Sequence, residues 1–354
     1  MPSSSSSATK ALAASPSTSS SSFSPPTATN RIKAILLKEI WKKDNASDVE
    51  AALSELRDLL TDDGDKCVRD ANHELAIKIG VIGFIKSVMK NWMIQRKEED
   101  PTGRIQFIGA ACLTLVLDSE KDPNSRCNHS SEMIRSRVID VALMAMETYP
   151  NNGSIEPNCT CLSLIFSIFD HGKNIRSIQS RVIDACLKAM QLSTIHPLVR
   201  VVSMQTITSV LFHGVFKARS ITPVAAAAVQ KSFASIRNVN QQQGEQNEVD
   251  GSIDGGIDLV LNSMAVDLDN PQVIRAALLL LLVLTYPGMP EEFLTSLRRK
   301  SVMDMVLLVM KTHEDTKLEA EAEAEEEEEE DDDDKTMREN IIERCKRFID
   351  IMER

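Results

Sequence analysis

The sequence predicts an all-α chain made of helical units stacked in a row. Three observations carry that prediction. The stretch RVIDVALMAM at 137–146 returns 44 residues later as RVIDACLKAM at 181–190, with seven of ten residues identical. A period in the forties with helical spacing marks stacked helix units, each burying its apolar face against the next. Apolar residues make up 42% of the chain and aromatics only 4%, so Leu, Ile, Val, Ala and Met carry the burial, a mixture that favours helix. Apolar residues also recur at spacings of three and four through most of 31–354.

The chain opens on residues 1–30, rich in Ser, Pro, Thr and Ala, which cannot bury enough surface to offset chain entropy and read as a disordered tail. The first acid is Glu39, and an acid-free, Ser-rich start also suits an organelle-targeting segment. The absence of arginine before Arg31 speaks against targeting. Residues 31–62 predict two N-terminal capping helices. Ile32, Ile35, Leu36 and Ile40 mark one apolar stripe; Ala52, Leu53, Leu56, Leu59 and Leu60 mark the other, with Ser47 and Glu50 spaced as a capping box.

Repeats then fill 65–354. The first has a short helix at 72–79, GVIGFIKSVM at 80–89, a loop through Pro101 and a long helix at 104–118. A polar stretch with Pro123, 119–132, reads as the loop to the second. The second and third pair RVIDVALMAM and RVIDACLKAM with long helices at 159–172 and 197–214. The fourth holds a helix at 224–236, a polar insert at 237–254, GGIDLVLNSM at 255–264 and a long helix at 271–288. The fifth has SVMDMVLLVM at 301–310, an acidic run at 319–334 read as a loop, and a C-terminal helix at 336–354. Ile341, Ile342, Cys345, Phe348, Ile349 and Met352 give that last helix one apolar face.

These units resemble armadillo repeats: a short helix, a second helix opening G-x-I and ending near Met, then a longer third helix after a Pro-containing turn. The two-helix HEAT type is the close rival, and the G-x-I starts at Gly80 and Gly255 favour armadillo. The resemblance runs from about residue 31 to 354. It implies a right-handed α-solenoid of about five repeats, whose concave, third-helix surface binds a protein or peptide. One feature departs from the family. Importin-type grooves carry recurrent Trp and Asn on the third helices, whereas these have no Trp and one Asn, Asn158, so nuclear-signal binding is not implied.

Charge and motifs narrow the function classes. The 13 acids of 319–334 account for the whole net charge of −12, and the remainder is close to neutral. Such a body has no global field to steer nucleic acid, and scarce aromatics argue against a single-strand stacking platform. GxxxxGK[ST], GxGxxG, HExxH and GxSxG are absent, so no catalytic or cofactor-binding residue is expected. The seven cysteines form no framework and read as buried or loop thiols; Cys159 with Cys161, and Cys127 with His129, lack a full metal-ligand set. His171 and His213 each precede a Gly at the end of a long helix and read as C-terminal caps. The longest apolar run, 276–284, is too short to span a membrane.

What stands out is charge on the third helices. Arg104, Arg200 and Arg275 each follow the Pro of their unit by three or four residues, near a helix N-terminus where a cation opposes the dipole. An acidic ligand, from a partner or from the chain's own acidic run, would explain them. With Gln205 they make the candidate partner-binding set. The expectation is a non-catalytic interaction scaffold in the cytoplasm, with nuclear location or organelle targeting as alternatives. The other function class is an acidic, histone-chaperone-like protein acting through 319–334.

Overall fold

A computed structural model describes residues 31–32, 34–35, 45–61, 66–118, 123–149, 156–171, 178–192, 196–218, 221–236, 253–323 and 332–354. The tail at 1–30, the insert up to residue 252, and 324–331 of the acidic run lie outside the described residues. Among the described residues the chain is all helix, with no strand.

Six helices form the backbone of the packing: α1 (Ala46–Thr61), α4 (Arg104–Asp118), α7 (Glu156–His171), α9 (Pro197–Ala218), α12 (Pro271–Val283) and α15 (Asp332–Glu353). Each packs on the next in that order. Behind them runs a second row, α3 (Val81–Gln95), α6 (Val138–Thr148), α8 (Gln179–Leu192), α11 (Asp254–Val266) and α14 (Lys300–Glu323). Each of these touches its row neighbours and the first-row helix that follows it in sequence. A further helix precedes each of four second-row helices: α2 (Lys66–Lys78), α5 (Pro123–Arg135), α10 (Pro223–Ala234) and α13 (Glu291–Leu297) come before α3, α6, α11 and α14.

Local chemistry sets the boundaries. Asn270 caps α12, its Oδ1 accepting from Gln272 N at 3.1 Å and Val273 N at 3.3 Å, with Pro271 as first residue. Thr222 and Pro223 do the same for α10. The sharp step from short helix into second-row helix passes through a left-handed residue, Gly80 (φ 82°) before α3 and Arg137 (φ 60°) before α6. Glycine takes that conformation freely and arginine does not. The core is continuous, and Leu113, Leu164, Ile207 and Leu281, one from each internal long helix, are fully buried as their periodicity predicts.

The structure corrects several boundaries. The expected loop 119–132 holds helix α5, which starts at Pro123, has a polar sequence and buries Ser130 and Met133 among the described side chains at 128–135. The acidic run is not one loop: α14 continues to Glu323 and α15 begins at Asp332. Glu and Ala extend a helix readily, and acids suit a helix N-terminus. Helix α9 passes Gly214 and ends at Ala218. The insert stops short of 254, because Ile253 is buried and Asp254 opens α11. Of the capping segment, Ile32 and Ile35 are buried, and α1 is capped by Asn45, whose Oδ1 accepts from Ser47 N at 3.0 Å, in place of the Ser47 box.

Candidate functional site

The first-row helices bury their sides against one another and their backs against the second row. A strip on each stays uncovered. On α9 it runs Leu198, Gln205, Ser209 and Phe212, at steps of seven, four and three. On α7 it is Thr160, Ser163, Phe166 with Ser167, and Asp170; on α4 it is Arg104, Phe107, Ala111 and Thr114. On α12 the strip is Gln272, Arg275 and Leu279, and Tyr286 lies beyond its end. The rings of Phe212 and Tyr286 meet edge to face, 5.9 Å between centroids. Three of the internal long helices, α4, α7 and α9, thus show one half-buried aromatic on the strip, Tyr286 supplies one just beyond the end of α12, and neither α9 nor α12 contains an acid. Half-buried aromatics set in small polar surface are the usual anchors of protein recognition.

The arginines of the sequence set do not behave alike. Arg104 is exposed, and its Nη2 lies 2.9 Å from Glu50 Oε1 on α1. The same helix start is capped by Asp100, whose carboxylate accepts from Arg104 N at 2.9 Å and Ile105 N at 3.2 Å. Burial, with Glu50 nearby, pushes the Asp100 carboxyl above its usual range, opposed by those backbone donors. Arg200 is 3% exposed and is ion-paired with Asp267, just past the end of α11. Two of the three thus meet an acid inside the fold. Arg275 is exposed and forms no ion pair among the described residues. Instead its carbonyl accepts from Arg344 Nη1 of α15 at 3.4 Å. Gln205 lies half-buried on the α9 strip.

Register and neighbours together set the split. Arg200 is three residues beyond Pro197 and Arg275 is four beyond Pro271, in helices that both begin at the proline. The residue matching Arg200 in α12 is Ile274, fully buried, and the residue matching Arg275 in α9 is Val201, also buried, so α9 is covered at both positions and α12 only at the first. The structure therefore does not bring Arg104, Arg200 and Arg275 together as one surface. It brings Arg275 together with Arg344 and Arg347, which the sequence reading did not single out.

Other readings also find their physical place. Gly255 and Gly256 open α11 where α10 presses close: a Cβ on Gly255 would stand 2.1 Å from Ile236 O, and one on Gly256 2.3 Å from the Phe233 ring. Close packing accounts for both glycines. The repeated decapeptide builds an ion bridge, with Asp140 accepting from Arg137 Nε at 2.7 Å and from Arg181 Nη1, in the second copy, at 2.6 Å. Burial raises the Asp140 pKa, and the two arginines outweigh it, leaving the carboxyl below its usual value. Beside this bridge a cleft of about 310 Å³ lies between α6 and α8, lined by Met146, Glu147, Asp184 and Lys188 among others. Cys112, Cys159, Cys161, Cys186 and Cys345 are free and buried, and burial pushes the Cys112, Cys161 and Cys345 thiols up to about 12. The side chains of His171 and His213 lie outside the described residues. No helix among the described residues is long and apolar enough to cross a membrane.

Comparison with known proteins finds no family model, no curated protein and no solved structure that matches the chain.

Proposed function

We propose that the protein is a non-catalytic interaction scaffold that binds a partner protein or peptide on the uncovered face of its long-helix row. In this reading the fold is a right-handed α-solenoid of about five armadillo-like repeats, with α1 and the segment before it as the N-terminal cap. The uncovered face is then its concave side. The supporting observation is the strip itself: six helices packed in sequence order, with α4, α7 and α9 each exposing one half-buried aromatic and Tyr286 another just beyond α12, among few charges. An elongated stack offers such a strip along its whole length, which suits an extended ligand. The cytoplasm is the compartment this reading assigns.

The second reading is an acidic, histone-chaperone-like protein that holds basic partners through 319–334, favoured by the 13 acids of that run. Two variants separate the readings. One replaces Phe166 and Phe212 by Ser; the other replaces the acids of 319–334 by Gln and Asn, keeping the length. In affinity capture from cell extract with mass spectrometry, the scaffold reading expects the first variant to lose the main partner and the second to keep it. The reverse pattern would establish the chaperone reading.

A further inference from the structure

Arg275 on α12 and Arg344 and Arg347 on α15 form a cationic cluster on neighbouring helices of the long row. Arg275 and Arg347 are exposed, Arg344 is half-buried, and none of the three makes an ion pair among the described residues. The Arg344 guanidinium is held over the α12 backbone by its bond to Arg275 O, which fixes one end of the cluster. Burial, then Arg275, then Arg347 hold the Arg344 pKa below its usual value, with adjacent Glu343 opposing. Like charges held together repel one another, Glu343 offsets this only in part, and nothing in the helix ends calls for them. Arg275 lies in the first turns of α12, where a cation opposes the dipole, and Asn270 already caps that helix. Elsewhere in the fold, comparable arginines meet an acid: Arg104 with Glu50, Arg200 with Asp267, and Arg299 with Asp258 at 2.8 Å.

We propose that Arg275, Arg344 and Arg347 are a docking point for an acidic linear segment of a partner protein, laid across α12 and α15. This rests on the scaffold reading and names the partner's chemistry at one end of the face. Guanidinium forks match carboxylates in pairs, so closely set Arg side chains select a run of acids rather than a single charge. The chain's own acidic run, 319–334, carries the same chemistry, and the Gln variant of 324–331 below distinguishes it from a partner's segment. Nucleic acid is a poorer match than peptide, because three guanidiniums in a body near neutral make no stripe along which a phosphate backbone could track.

The test uses the full chain and fluorescein-labelled deca-glutamate, read by fluorescence anisotropy, with deca-glutamine and a short DNA duplex as comparison probes. Deca-glutamate should bind, deca-glutamine should not, and affinity should fall as salt rises. The variant Arg275→Gln/Arg344→Gln/Arg347→Gln should bind at least about tenfold more weakly. Arg275→Gln alone, at an exposed position, should weaken binding while leaving the urea midpoint unchanged, so a folding defect is distinguished from a lost contact. No binding by wild type, or equal binding by the triple variant, overturns the proposal. DNA binding tighter than deca-glutamate also overturns it, in favour of a phosphate surface. Replacing the acids of 324–331 by Gln should leave affinity unchanged; tighter binding would make the chain's own run the occupant. If the arginines prove irrelevant while Phe166→Ser/Phe212→Ser still abolishes partner capture, only this inference fails. If the strip variant keeps the partner while the cluster binds deca-glutamate, the scaffold reading fails instead.

Discussion

Arg200 and Arg275 sit one residue apart in register on helices that pack against each other, and they do opposite things. The Arg200 region, where α9 meets the end of α11, is closed: the guanidinium is buried and ion-paired with Asp267. The Arg275 region, where α12 meets α15, is open: the guanidinium is exposed, and its neighbours are further arginines. The first region holds two units together; the second is the docking point proposed for an acidic segment. The difference comes from what covers each helix: α9 is buried at the positions three and four beyond its proline and α12 only at the first, which a count of residues from a proline does not resolve.

The comparison predicts its own largest effect. Asp267→Ala removes the acid paired with the buried Arg200 and should cost about 3–5 kcal/mol. Arg275→Ala removes an exposed side chain and should stay within about 0.5 kcal/mol of wild type. Urea denaturation of both variants checks the pair, and equal losses would erase the distinction between closed and open regions. Next comes the core that both regions share. Leu281→Ala on α12 should cost about 2–5 kcal/mol, because the side chain is fully buried and leaves a cavity. An unchanged thermal midpoint would contradict the packing of α12 between α9, α11 and α15.

The smallest effect belongs to the surface bridge of the repeated decapeptide. Exposed pairs contribute at most about 1 kcal/mol, so Arg181→Ala should shift stability only slightly. Its pH signature is sharper. The Asp140 carboxyl is depressed by its arginines, so the bridge stabilises the fold fully above the ordinary carboxylate pKa of about 4. That contribution is lost as pH falls through the depressed value. Arg181→Ala should therefore bring the stability profiles of wild type and variant together at low pH. A gap that persists in acid would show that the arginine stabilises by packing rather than by charge.

Much of this was legible in the sequence, and the parts that were not share a cause. The decapeptide repeat and the apolar spacing located α4 at 104–118 residue for residue, and placed Leu113, Leu164, Ile207 and Leu281 in the core. Helix α5 was hidden because its sequence, PNSRCNHSSEMIR, carries no wide apolar stripe. The ends of α14 and α15 were hidden because a charge run suggests a loop, while Glu and Ala in α14 and acids at the start of α15 extend helices well. On the face, Arg275 and Gln205 were legible as surface candidates. Arg344 and Arg347 were not, because their relation to Arg275 spans 69 residues or more and exists only once α12 and α15 pack. Phe107, Phe166 and Phe212 could have been found by asking which apolar positions fall off the buried stripe of each long helix.

In the proposed scaffold the partner lies on the uncovered strip of the long-helix row. Photo-crosslinking tests it most directly, with a benzophenone side chain placed in turn at Ser163 and Gln205 on the strip and at Ser87, exposed on α3 in the second row. The account predicts one partner adduct shared by positions 163 and 205 and absent at 87. The same adduct at 87 alone, with none at 163 or 205, would contradict it.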